Sequence, residues 1–177
     1  MTYLGIAGLL MVMAITLFKR PIIEKLRNHT LVRRLSRAEW FESHWYAGIF
    51  LFLMNVLLGA VTLGLLTLIT MLTVPYLHLL LMLLAVAASL YLWMCVSIAW
   101  EGEKRDRLKM AIIGSSWYLL LTIAMVTGLM NLEPSSPEMD NFMAAVGFVF
   151  GIIVSVVAFT YCFLITGFWN KPQEPEE

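Results

Sequence analysis

The sequence predicts an all-α integral membrane protein, a bundle of four long transmembrane helices plus a short N-terminal span, five in total. Three observations carry this. Of 177 residues, 60% are hydrophobic and 14% charged, against about a half and about a quarter in soluble domains. The apolar residues gather into runs at about 3–18, 45–74, 77–100, 110–130 and 142–169. All 12 Lys and Arg residues fall on one side once five spans alternate. The whole chain, 1–177, is read as a single membrane domain. Its formal net charge of +0 gives no global electrostatic clue to partners.

The first run, Tyr3 to Phe18, is followed by Lys19-Arg20-Pro21. A signal peptide carries its positive charge before the apolar stretch and a small-residue cleavage site after it. Here the order is reversed, so an uncleaved helix with its N-terminus outside is expected. At about 24 Å it is short for a hydrocarbon core of about 30 Å.

Residues 19–44 form a basic segment. Lys19, Arg20, Lys25, Arg27, Arg33, Arg34 and Arg37 are opposed only by Glu24, Glu39 and Glu42. Its apolar residues form no single stripe, so two short helical pieces broken near Asn28-His29 are expected. One reading of the charge is topology plus attraction to anionic lipid headgroups. The other is docking of an acidic cytoplasmic partner, with Arg27, Arg33, Arg34, Arg37, Trp40 and His44 as the docking residues. The sequon Asn28-His29-Thr30 lies in the cytoplasm under this topology, where it is unusable.

The second long helix is expected from Ser36 to Val74. Ser36 and Glu39 have the spacing of a capping box, and Leu35 and Trp40 that of a hydrophobic staple. Pro75 follows the last residue, a usual helix boundary. One face reads His44, Gly48, Asn55, Gly59, Thr62, Thr73; with Leu51 and Leu66 in the gaps, the positions recur at steps of three and four, closing on a step of seven. Val74-Pro75-Tyr76 is a tight turn. The third run, Leu77 to Trp100, leads into a charged connector, Glu101 to Lys109. The fourth run is Met110 to Met130. Ser136-Pro137, with Glu138 and Asp140 behind it, reads as a helix start. The fifth run is Phe142 to Trp169, and the tail 170–177 is acidic.

Orientation follows from charge. The segment 19–44, the connector 101–109 and the tail carry Lys and Arg in the pattern 7, 4 and 1, and the opposite loops carry none. The positive-inside rule then puts the C-terminus in the cytoplasm of what is read as a bacterial cytoplasmic membrane. Trp40, Trp45, Trp93, Trp100, Trp117 and Trp169 map to the same half. They read as an inner-leaflet belt or as a docking groove.

Chemistry is harder to find. No ionisable residue lies deep in an apolar run, which disfavours ion-coupled carriers and voltage sensors. His44 and His78 fall at opposite membrane edges, so they cannot clamp one haem. His44, Cys95, Glu101 and Cys162 share a depth but have no diagnostic metal spacing. Cys95 and Cys162 read as small buried hydrophobes. No cofactor or metal is expected. Glu39 and Glu42 with His44 could serve acid–base work on a lipid, but they read first as a solvated helix start.

Small residues give the clearest remaining signal. Gly147, Gly151 and Ser155 recur every fourth residue on the fifth helix, and Asn55, Gly59 and Thr62 mark the second. Such faces let helices approach closely. Asn55 carries the one side-chain amide deep in an apolar run and needs a partner helix. The expected function is a non-enzymatic polytopic subunit that self-associates or docks a membrane or cytoplasmic partner through these faces and the basic loop. One alternative is an oligomeric channel lined by the 45–74 helix. Another is a membrane enzyme acting on lipid at the cytoplasmic face.

Overall fold

The computed structural model describes residues 30–72, 76–132 and 141–168. The N-terminal span, Arg27, the turn at 73–75, the Ser136-Pro137 helix start and the acidic tail lie outside the described residues. Five α-helices are described: α1 Thr30–Ser36, α2 His44–Leu72, α3 Leu77–Ala99, α4 Lys104–Met130 and α5 Phe142–Gly167. A 3-10 turn, Glu39–Glu42, joins α1 to α2. Helices α2 to α5 are long and apolar enough to cross a membrane. Large apolar side chains such as Leu57, Leu68, Ile123, Phe150 and Val154 stand exposed along them, as suits helices bathed in lipid rather than water. The chain is an all-α membrane bundle.

The long helices alternate in direction, and their packing sets a cyclic order. Helix α4 packs most extensively on α5 and then on α2, while α3 meets α2 and α5 over shorter stretches. Around the bundle the order is therefore α2, α3, α5, α4. Helices α3 and α4, consecutive in sequence, sit on a diagonal.

The start of α2 corrects the sequence reading. The expected continuous helix from Ser36 is broken: Ser36 closes α1, and its hydroxyl donates back to the Arg33 carbonyl at 3.3 Å. Ser43 takes the N-cap place instead. Its backbone is extended, and its carbonyl accepts the Ala47 N–H at 3.0 Å. The physical reason is Phe41. The 3-10 turn sets this ring against Trp100 and Phe50, with ring centroids at 5.9 and 6.2 Å. Burying such a ring is worth about 1.5–3 kcal/mol, more than the about 1 kcal/mol of a typical cap. The connector before α4 is also shorter than the charge run suggested, because α4 begins at Lys104 with its first turns still polar.

The core is confined to one half. Among the described residues of the four long helices, buried side chains and glycines occur only within 47–55, 90–99, 107–115 and 155–167. All lie toward the end that carries α1 and the α3–α4 connector, called here the basic end. They reach about 14–18 Å along each helix. The other half has no buried residue among those described.

Close approach in the closed half is made by Gly48 and Gly114. A Cβ at Gly48 would lie 2.9 Å from Ile113 Cβ, and one at Gly114 would lie 2.9 Å from Leu51 Cβ and nearer still to its branched end. Leu51 is itself fully buried and has nowhere to move. Gly114→Ala is expected to lower stability by about 1–3 kcal/mol through overpacking. Gly64→Ala, at a position with nothing within 4 Å, is expected to be near neutral. Thermal unfolding of the two variants in detergent reads the difference.

Candidate functional site

Asn55 stands where the four helices converge. It is 2% exposed. Its Nδ2 donates to the Gly114 carbonyl of α4 at 3.0 Å and to Cys162 Sγ of α5 at 3.8 Å. Its Oδ1 accepts Trp93 Nε1 of α3 at 2.9 Å and the Tyr118 hydroxyl of α4 at 3.3 Å. Two donors and two acceptor sites are all an amide has, so this one is fully used within a single chain. Trp93 and Tyr118 also meet edge to face at 5.9 Å, across the α3–α4 diagonal.

Further polar ties surround it. The Thr122 hydroxyl donates to Ser155 Oγ at 2.8 Å, and Ser155 passes its own proton to the Gly151 carbonyl at 2.8 Å. Ser97 Oγ donates to the Ile165 carbonyl at 2.9 Å, linking α3 to α5. Arg107 is buried in the first turns of α4, and its Nη2 donates to the Ser97 and Trp100 carbonyls at 3.2 and 2.9 Å. These carbonyls belong to the C-terminal turn of α3, where a cation complements the helix dipole and satisfies free acceptors. Trp100 Nε1 is buried with no hydrogen-bond partner among the described residues, so its ring contributes by packing alone.

The other sequence candidates divide. Ser155 is buried at the α4–α5 contact. Gly151 lies against Met125, with Sδ 3.1 Å from where a Cβ would stand. Gly147 faces open space, with nothing within 4 Å of that point. Gly59 makes ordinary contact with Trp117, 3.5 Å from its Nε1. Thr62 donates to its own helix, to the Leu58 carbonyl at 2.7 Å. Asn55 and Ser155 are thus central, Gly59 and Gly151 pack within the chain, and Gly147 packs on none of the described residues.

At the basic end, Arg33, Arg34 and Arg37 are exposed on α1 and the turn after it. Trp40 packs on Phe50 with centroids 5.6 Å apart yet stays 47% exposed. His44 lies beside Trp45 and pairs with Asp106, Nδ1 to Oδ1 3.7 Å. Lys109 donates to the same carboxylate at 2.9 Å. Asp106 lies in the polar first turn of α4, ahead of the apolar segment, and this hydrogen bond holds its carboxyl below the usual range. The five tryptophans among the described residues do not form a single belt, and Trp169 lies outside those residues. Trp93 and Trp100 are core residues, Trp117 is half-buried against Phe52, and Trp40 and Trp45 lie on the surface.

Sequence reasoning missed Gly114 and Arg107. Gly114 has a readable signal, because Ala111, Gly114 and Ser115 place three small residues on one face at the depth of Asn55. Arg107 was counted for topology only. No three His, Cys, Asp or Glu side chains among the described residues converge to hold a metal. Compared with known protein families, curated proteins and solved structures, the chain matches none.

Asn55→Leu leaves the Trp93 N–H and the Tyr118 hydroxyl without their acceptor, an expected loss of about 1–3 kcal/mol. In a double-mutant cycle with Trp93→Phe, unfolding in detergent should give a coupling of about 0.5–1.7 kcal/mol. Additive losses would remove Asn55 from its central role.

Proposed function

We propose that this chain is a non-enzymatic polytopic subunit of a bacterial cytoplasmic membrane, with its basic end in the cytoplasm. It associates with itself or with a larger membrane protein through the half of the bundle away from that end. The observation that carries this reading is the division of the bundle. In the closed half, the buried polar groups Asn55, Ser97 and Ser155 are bonded to other parts of the same chain, and Thr122, just beyond it on α4, is bonded to Ser155. They hold helices together and present nothing to a substrate. In the open half no described residue is fully buried, and Gly147 offers a site of close approach that no described helix occupies.

The same geometry counts against the two other readings. A channel lined by α2 needs the face of Gly48, Leu51 and Asn55, and that face is sealed against α4. An enzyme built on His44 with Glu39 or Glu42 needs a shared recess, whereas Glu39 and Glu42 sit exposed on the 3-10 turn and His44 turns to Asp106.

Blue native electrophoresis with cross-linking in mild detergent tests association. Gly147→Leu is expected to keep the unfolding temperature and weaken the oligomer or partner complex. Gly151→Leu is expected to lower stability through Met125. A strictly monomeric wild-type protein without a co-purifying partner overturns the reading. Orientation is tested with single cysteines. Cys95 and Cys162 are buried and should stay silent toward a membrane-impermeant maleimide. Tyr76→Cys should label in intact cells and Arg34→Cys only after permeabilisation. The opposite pattern reverses the topology.

A further inference from the structure

Residues 30–46 form a shelf beside the bundle rather than a free loop. Val32 and Phe41 are buried in the core, which fixes both α1 and the 3-10 turn. Trp40 then reaches Phe50, six residues into α2, or about 9 Å along its axis. The shelf therefore dips alongside the membrane helix instead of projecting from its end. Trp45 and Tyr46, 60% and 61% exposed, stand on the first turn of α2. Exposed aromatic rings at this level are characteristic of the lipid–water boundary.

Arg33, Arg34 and Arg37 are carried by the same shelf and exposed. The ion pairs formed by Asp106 among the described residues go to His44 and Lys109, not to these arginines. Guanidinium groups bind phosphate oxygens in a bidentate fork, and they do so best when the backbone behind them is already ordered.

We propose that Arg33, Arg34 and Arg37, with Trp40 and Trp45, form a binding surface for anionic phospholipid headgroups of the leaflet at the basic end. The depth of Trp40 is what favours lipid over a soluble acidic protein: the arginines are tied to a side chain that lies at the boundary, where phosphates are concentrated. The proposal rests on the bundle crossing the bilayer but not on its self-association, so a monomeric protein would still show it.

The test uses the purified full chain in vesicles mixing phosphatidylcholine and phosphatidylglycerol, with bromine on the acyl chains of one lipid at a time. Tryptophan quenching then reports which lipid sits beside the exposed indoles. Wild type is expected to prefer phosphatidylglycerol, about fivefold per engaged arginine. The triple variant R33Q/R34Q/R37Q should fall to no preference with an unchanged unfolding temperature, because all three side chains are exposed. Trp40→Phe should remove much of the selective quenching. Lys104→Gln with Arg105→Gln, exposed residues at the start of α4, should preserve the preference. Equal quenching by both lipids in wild type overturns the proposal, as does a preference that survives the triple variant. An equal loss in the Lys104 and Arg105 control shows only a general charge effect and overturns it too.

Discussion

A side-chain amide in hydrocarbon must find hydrogen-bond partners or lose several kcal/mol. Asn55 finds them on three other helices, and the rest of the closed half follows from that. Its bond to the Gly114 carbonyl brings α2 onto α4, and glycine at 114 makes room for Leu51. Its acceptor oxygen fixes Trp93, and so sets the rotation of α3 about its axis. Its second donor reaches Cys162 across the α2–α5 diagonal. Each of these contacts specifies direction, which nonspecific packing of Leu and Val against lipid-like surroundings does not.

The basic end adds a second layer that depends on the first. Once α3 is held by Trp93, its C-terminal carbonyls lie where Arg107 can reach them from α4. The corner so formed presents Trp100, and Phe41 packs on its ring. The shelf is thus seated on a structure that the amide organises from within the closed half. Away from Asn55 the ties between helices become apolar: Gly128 lies beneath Phe148 and Gly151 beneath Met125. Helices α4 and α5 stay together there, while α3, bound mainly near Trp93 and Ser97, has less to hold it.

The membrane class was legible because length and hydropathy suffice for it: the runs at 45–74, 77–100, 110–130 and 142–169 foreshadow α2 to α5. Their ends were less legible. Ser36 and Glu39 satisfy a local capping pattern, but Ser43 is the residue that starts α2, because the burial of Phe41 on Trp100 is a long-range effect that no local pattern records. The need of Asn55 for partners could be read from depth alone, but their identity could not. Trp93 and Trp100 share their depth with interfacial tryptophans, and only the direction of the indole distinguishes core from belt. Arg107 was hidden for the same reason: a charge count treats it like Arg105, although one side chain turns inward and the other outward.

The division between halves also separates two kinds of sensitivity. Apart from Trp100 Nε1, the buried side-chain polar groups described in the closed half are engaged, so substitutions there act through stability. Among the described residues, the exposed arginines of the shelf and the open face at Gly147 make no close contact that stability depends on, so substitutions there should act through what the bundle meets outside itself. On the reading proposed above, these are the surfaces through which the bundle meets other molecules. The rigid half supplies a fixed platform, and the unsealed half and the basic shelf supply its contacts. A shelf seated by Phe41 and Trp40 further requires that whatever binds the arginines do so at the depth of the α2 entry. Under the lipid proposal, that depth constraint, more than the number of charges, favours lipid phosphates as their counterpart.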